Sequence, residues 1–245
     1  MKETGSEFSL RRTAAELLPL RIRHAAQDVS NCLAKTIAKK PSFVIIGTGR
    51  CGTKFVAEYL TAAGHPCGHE SFYGPNGPRY RAGRNVFTSR GDSSWLAVPH
   101  LPEQGIRVIH QTRAPLPVIK SFLKLGFFHP EHYARHRRFV EFARRHFEFC
   151  ADPLRSAVRW YVEWNEKCLA VTDKQFRLED FHESTDRISE WLGFDEPMPK
   201  QCLPGDPNAK VSRIHVSDDQ IQTEITCVPE YTRLVDLSAR LGYAL

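Results

Sequence analysis

Hydrophobic positions fall into two rhythms that alternate along most of this chain. Ser42–Ile46, reading Ser-Phe-Val-Ile-Ile, is a β-branched apolar run without polar alternation. A strand covered on both faces reads that way, and such strands belong to parallel sheets. Phe55, Val56, Tyr59, Leu60 and Ala63 then recur at helical spacing, and Gly64 is placed to end that helix in a left-handed conformation. Short strands are expected near His65–Glu70, within Gly91–Pro99 and over Ile106–Gln111. Pro115 and Pro117 open the next helix, where a missing N–H costs little, and Val118, Phe122 and Leu125 form its buried face. Leu154–Val171 is a strongly patterned helix carrying Trp160 and Trp164, Gln175–Leu178 reads as a strand, and Thr185–Leu192 as a further helix. Tyr73–Arg90 is a long Gly/Pro/Arg-rich connection, and Pro197–Pro207 is irregular.

Strands alternating with helices predict an α/β fold of three layers around a doubly wound parallel sheet. Residues 41–245 are expected to form one such domain. Residues 1–40 predict a basic helical segment packing on its edge, with Leu10, Ala14, Leu17, Leu18 and Ile22 at helical spacing.

Composition narrows the chemistry. The 245 residues, 41% hydrophobic and 25% charged, suit one large globular domain. A net charge of +6 suits an anionic ligand without naming it: nucleotide, sulfated glycan, nucleic acid and anionic membrane all fit. Nothing reads as a helix-turn-helix or other nucleic-acid reader, so no nucleic-acid partner is expected. Seven scattered cysteines include no C-x-x-C pair, which argues against a zinc ribbon and for free thiols in a reducing compartment. No run approaches the roughly 18 apolar residues of a membrane span, and no secretory signal is evident, so a cytoplasmic location is expected.

The decisive stretch is Gly47-Thr48-Gly49-Arg50-Cys51-Gly52-Thr53-Lys54, between a buried strand and a helix. A loop there turns successive backbone N–H groups into one concavity at the positive end of the helix dipole, a ready site for phosphate. ATP-cleaving loops of the form G-x-x-x-x-G-K-[ST] place lysine directly after the last glycine. Here Thr53 intervenes, and Phe55 stands where a magnesium-holding hydroxyl would follow Lys54. The loop is suited to binding phosphate and poorly suited to hydrolysing a nucleoside triphosphate.

Thr48–Lys54 resembles the 5′-phosphosulfate loop of the sulfotransferase family, usually R-S-G-T-T or K-S-G-T-T, with Cys51 and Lys54 departing from the pattern. Val108-Ile109-His110-Gln111-Thr112-Arg113-Ala114-Pro115, followed by Ser121, is similar to the family's 3′-phosphate motif. Arg113 at a strand's carboxyl end offers a bidentate fork, and Ser121 a hydroxyl. Weaker similarity continues through Gly68-His69-Glu70, Asp92–Ala97, Trp160–Asn165 and Phe176–Asp180. The family's late cofactor segment is not evident; Asn208–Ser217, with Lys210 and Arg213, is the one stretch that could replace it.

The resemblance implies a domain of the P-loop nucleotide-binding type that uses 3′-phosphoadenosine 5′-phosphosulfate, with no metal expected. It implies cofactor contacts from Gly49, Arg50, Cys51, Gly52, Thr53, Lys54, Arg113 and Ser121. Arg50 and Lys54 would face the bridging and sulfuryl oxygens, and Glu70 would take the acceptor's proton. His69 is the alternative base, for its ordinary pKa near 6.5. The acceptor would be a carbohydrate, lipid or other small molecule bearing a hydroxyl. Two other readings stand beside this: a P-loop nucleotide or small-molecule kinase, and a non-catalytic polyanion-binding module. Cys51 has the setting for a lowered thiol pKa at a helix N-terminus, or is there because it is small enough to fit. His129, His132 and His136, among Arg135, Arg137, Arg138, Arg144 and Arg145, read as a solvated basic face, a contact for an anionic acceptor, or a metal site lacking H-E-x-x-H.

Overall fold

The computed structural model describes residues 40–78, 90–101, 105–199 and 218–245. The expected N-terminal helical segment, most of the connection before Arg90 and the stretch 208–217 lie outside the described residues.

A five-stranded sheet forms the middle layer, built from β1 (Phe43–Ile46), β2 (Cys67–His69), β5 (Gly91–Ser93), β6 (Arg107–Thr112) and β7 (Gln175–Arg177). Its order is β2-β5-β1-β6-β7, and every pairing in it is parallel. Two-residue strands β3 (Tyr73–Gly74) and β4 (Gly77–Pro78) make a separate antiparallel hairpin. The chain therefore winds one way from β1 to β2 and β5, then crosses to β6 and β7 on the other side. This doubly wound order puts the reversal between β1 and β6, and the crevice outside such a reversal is where open α/β sheets bind ligands.

Four consecutive buried residues of β1 explain its central position. Phe43 and Ile45 share one face with Ile109 and pack against α1 (Thr53–Ala62) and α5 (Thr185–Leu192), through Val56, Tyr59, Leu60, Ile188 and Leu192. The opposite face meets α4 (Pro153–Val171), where the fully buried His110 ring bonds Asn165 Oδ1 at 3.0 Å. Trp160 and Trp164 of α4 stack at 4.2 Å, and Trp95, Phe122, Phe127 and Phe142 close around them. Truncating either buried indole to alanine would cost about 3–5 kcal/mol.

Several boundaries differ from the periodic reading for physical reasons. Gly91–Pro99 gives only a three-residue strand, because the Ser94 hydroxyl accepts from Leu96 N–H and starts a 3-10 turn over Trp95–His100. The helix after the loop ends at Ala62, and Gly64, with φ of 86°, makes the turn. The basic stretch splits into a 3-10 segment, Pro130–His136, and α3 (Arg137–His146). A 3-10 turn, Leu178–Asp180, follows β7, and helices α2 (Pro115–Leu125), α6 (Asp218–Ile225) and α7 (Tyr231–Arg240) complete the described elements. Helix α7 is tied to α4 by Arg155–Glu230 and Arg233–Glu166 ion pairs.

Candidate active site

Residues 47–52 leave β1 and turn sharply into α1. Gly49 and Arg50 both take left-handed backbone, φ 74° and 58°, and Gly52 follows at 93°. Such a run gathers successive amides into an anion-binding nest. The loop's carbonyls are held away from it. Trp160 Nε1 donates to Thr48 O at 2.8 Å, Gln111 Nε2 to Cys51 O at 2.6 Å, and an Arg113 guanidinium nitrogen to Arg50 O at 3.2 Å. Among the described residues, the amides of Gly49, Arg50 and Gly52 donate to no backbone carbonyl. Gly47 is fixed by space: a Cβ there would lie 2.5 Å from Cys51 Sγ and 2.7 Å from Gln111 O.

Arg113 stands just past the carboxyl end of β6, and Ser121 lies on α2. Arg50 Nε donates to Ser121 Oγ at 2.8 Å. The loop, the strand end and the helix hydroxyl thus meet at one place, although 71 residues separate Arg50 from Ser121 in the chain. Among the described residues, the bonded partners of these two guanidiniums are a hydroxyl and a carbonyl, not carboxylates. Burial, then the neighbouring charge of Arg113, lowers the Arg50 pKa, with Cys51 and Glu70 opposing. Two like charges held together in this way favour an anion between them.

A further network supports Arg113. Tyr161 Oη donates to Arg113 O at 2.8 Å, and Ala114 N–H to Glu179 Oε1 at 2.9 Å. Tyr243 Oη donates to Glu179 Oε2 at 2.9 Å and lies 3.1 Å from Thr112 Oγ1. Burial pushes the Tyr243 and Tyr161 phenols up, so both stay protonated donors.

Glu70 follows β2 with φ of 51°, unusual for a side chain of its size. Its amide donates to Ser93 O at 3.2 Å. The next turn is clamped by the fully buried Asp92, which accepts from the amides of Ser71, Phe72 and Tyr73 at 2.9, 3.2 and 3.0 Å. Strained backbone held by a buried carboxylate suits a functional position. Next to it, His69 Nε2 lies 3.2 Å from Thr53 Oγ1 and 3.8 Å from Glu70 Oε1. Burial, with the charge of Lys54, holds the His69 pKa down at about 4, against an opposing pull from Glu58. The ordinary histidine pKa that recommended His69 as a base is therefore absent. Lys54 pairs with Glu58 at 3.5 Å on the half-exposed side of α1.

Cys51 is 1% exposed, and burial raises its thiol pKa despite lowering contributions from Thr48 and Arg113. Of the two readings of Cys51, this disfavours the lowered pKa, because desolvation of the thiolate outweighs the hydrogen bonds and the Arg113 charge that favour it. It is there because it fits.

In the basic stretch, Arg144 lies over the Tyr133 and Phe149 rings, and Arg145 over Phe142. Their guanidinium groups sit over aromatic faces, a cation–π arrangement. Among the described residues, no group of three His, Cys, Asp or Glu side chains is placed to hold a metal ion. No helix among them is long and apolar enough to cross a membrane.

Gln111, Trp160, Asp92 and Glu179 lie in stretches that resemble the family but carry no role of their own in the sequence reading, and Tyr243 lies outside those stretches. The strands that carry Asp92 and Gln111 read Gly-Asp-Ser and Arg-Val-Ile-His-Gln-Thr, so neither residue stands out as a lone polar position.

No protein-family model matches the chain, and no curated protein does. Among solved structures it is similar to a sulfotransferase from Alicyclobacillus acidocaldarius, with 18% identity and a TM-score of 0.44 over 85% of this chain and 98% of that one. It is also similar to the sulfotransferase domain from the curacin biosynthetic pathway, with 14% identity and a TM-score of 0.48 over 85% of this chain and 99% of that one.

Proposed function

We propose that this chain is a sulfotransferase that uses 3′-phosphoadenosine 5′-phosphosulfate and delivers the sulfuryl group to an acceptor hydroxyl. The observation that carries the reading is the meeting of Arg113 and Ser121 with the glycine loop through Arg50. One molecule bearing phosphates at two ends is the ligand that such a double grip suits.

The residues fit that cofactor. The amides of Gly49, Cys51 and Gly52, with Arg50, would hold the 5′ end, while Arg113 and Ser121 would hold the 3′-phosphate. When bound, the cofactor supplies an activated sulfuryl group on a phosphate leaving group. Fixed donors aimed at developing charge then contribute about 3 kcal/mol each to lowering the barrier. Glu70 is assigned the acceptor's proton, since the neighbouring His69 ring nitrogen is engaged by Thr53 and its pKa is held down at about 4. Thr53 and neutral His69 orient the acceptor side. Lys54 lies late for contact with a γ-phosphate, which disfavours a kinase.

Thermal shift with adenosine 3′,5′-bisphosphate, against ATP plus magnesium, tests the cofactor. A ligand that binds only the folded form raises the melting temperature. Stabilisation by the bisphosphate without magnesium is expected, and a response to ATP only with magnesium would overturn the reading. Transfer of labelled sulfate then separates an enzyme from a polyanion-binding module.

A further inference from the structure

A groove outside the glycine loop bears on the acceptor. It runs between α1 and the edge strand β2, with a volume of about 360 Å³. Lys54, Ala57, Glu58, Thr61 and Ala62 line one side and share a helical face, at offsets of three and four. Cys67 and His69 of β2 line the other. At 1.5 Å per residue, Lys54 to Ala62 spans about 12 Å of helix axis. One end opens at His69, beside Thr53 and the loop; the other ends at Thr61 and Ala62.

The lining sets the chemistry of an occupant. Ala57, Ala62 and Cys67 supply small apolar groups, and the groove lies open to solvent along Thr61 and Ala62. The charges at the mouth, Lys54 and Glu58, neutralise each other at 3.5 Å. None of the basic residues between 129 and 150 lines the groove. At the start of β2, Cys67 N–H donates to the Thr61 hydroxyl at 3.0 Å, whose oxygen lies 2.8 Å from Ala57 O and 3.1 Å from Cys67 O. A small-molecule site is characteristically an apolar cavity of about this volume with a few convergent polar groups.

We infer that this groove is the acceptor site, and that the acceptor is an alcohol or phenol with an uncharged, apolar body. This rests on the sulfotransferase reading and narrows it. The body lies along α1, and the hydroxyl sits at the His69 end, within reach of Glu70, whose Oε1 is 3.8 Å from His69 Nε2. A bond forms from the acceptor oxygen to sulfur as the bond from sulfur to the 5′-phosphate oxygen breaks. The electron pair of the broken bond stays on the phosphate, and the acceptor's proton passes to Glu70.

The test uses the full chain and two calorimetric titrations. The first, with adenosine 3′,5′-bisphosphate, reports on the cofactor reading alone. The second, with 2-naphthol and 1-octanol as probes, reports on the groove and is run with and without the bisphosphate. Ala62→Trp blocks the far end from an exposed position; Ala57→Leu fills the middle, and Ala62→Trp keeps the test sound if Ala57→Leu loses stability. The expected result is at least a tenfold loss of probe affinity in the blocked variants, with bisphosphate affinity within twofold of wild type. Probe affinity unchanged by Ala62→Trp, or absent from wild type while N-acetylglucosamine or a heparin disaccharide binds, would overturn the assignment. Loss of bisphosphate binding by wild type itself would instead refute the cofactor reading.

Discussion

Gln111→Met tests whether the loop is held open from behind. The wild-type side chain is fully buried, and its Nε2 donates to Cys51 O at 2.6 Å, while its own Oε1 has no partner among the described residues. Methionine keeps the volume and removes both groups. Loss of an orphaned Oε1 is favourable and loss of the bond is not, so global stability should move little. The effect falls on the loop: Cys51 O is left unpaired unless the peptide turns, and turning it withdraws the neighbouring amide from the nest. Restoring the cradle for a ligand then costs about 1–3 kcal/mol, the penalty of an unmade buried bond, which raises Kd about 5- to 150-fold. Isothermal titration with adenosine 3′,5′-bisphosphate measures this, and urea denaturation measures stability in parallel. A Kd within twofold of wild type refutes the reasoning. So does a fall in stability large enough to account for the lost affinity.

Other outcomes follow from the same geometry. Glu70→Gln should abolish sulfate transfer while leaving bisphosphate affinity within twofold; turnover near wild type removes Glu70 from the mechanism. Arg113→Ala should weaken the bisphosphate more than adenosine 5′-phosphate, because only the former carries a 3′-phosphate; equal losses would contradict the assignment. Under limiting iodoacetamide, exposed Cys227 should be modified well before Cys51, whose thiol is buried and raised in pKa, as peptide mass spectrometry can read. His110 is held at about 4 by burial, against a bond from Asn165 that favours the charged ring. The unfolded ring takes its proton near pH 6.5 and the folded ring does not, so this contribution to stability is complete above about 6.5 and is lost as pH falls toward 4. The slope reaches about 1.4 kcal/mol per pH unit. Urea midpoints between pH 7.5 and 4.5 should show a shallower decline in His110→Gln, and an identical decline would exclude this source.

What could be read in the sequence is what local pattern encodes. The β-branched run Phe43–Ile46 has no reading but a doubly covered strand, and glycines directly after it imply a loop at that strand's carboxyl end. Arg113 was legible for the same reason, as a cation closing a strand. The supports were not. Trp160 is 112 residues from Thr48 and Gln111 is 60 from Cys51, so no window along the chain contains both partners. Trp160 reads simply as core, which it also is. The two readings left open for Cys51 and the ordinary pKa assumed for His69 share one cause. Neighbouring residues reveal nearby charge, but the desolvation that dominates both groups arises from segments far along the chain.

Tyr243 has a consequence for the order of assembly. Its hydroxyl meets Thr112 across 131 residues of chain, and through Glu179 it secures the peptide next to Arg113. Pairings so remote in sequence form late, after the closure entropy of the intervening chain has been overcome. During refolding, the glycine turn can form early with β1 and α1, while the arginine fork beside it gains its last support only when α7 docks. Ligand added at the start of refolding should then accelerate only the final phase, leaving earlier ones untouched.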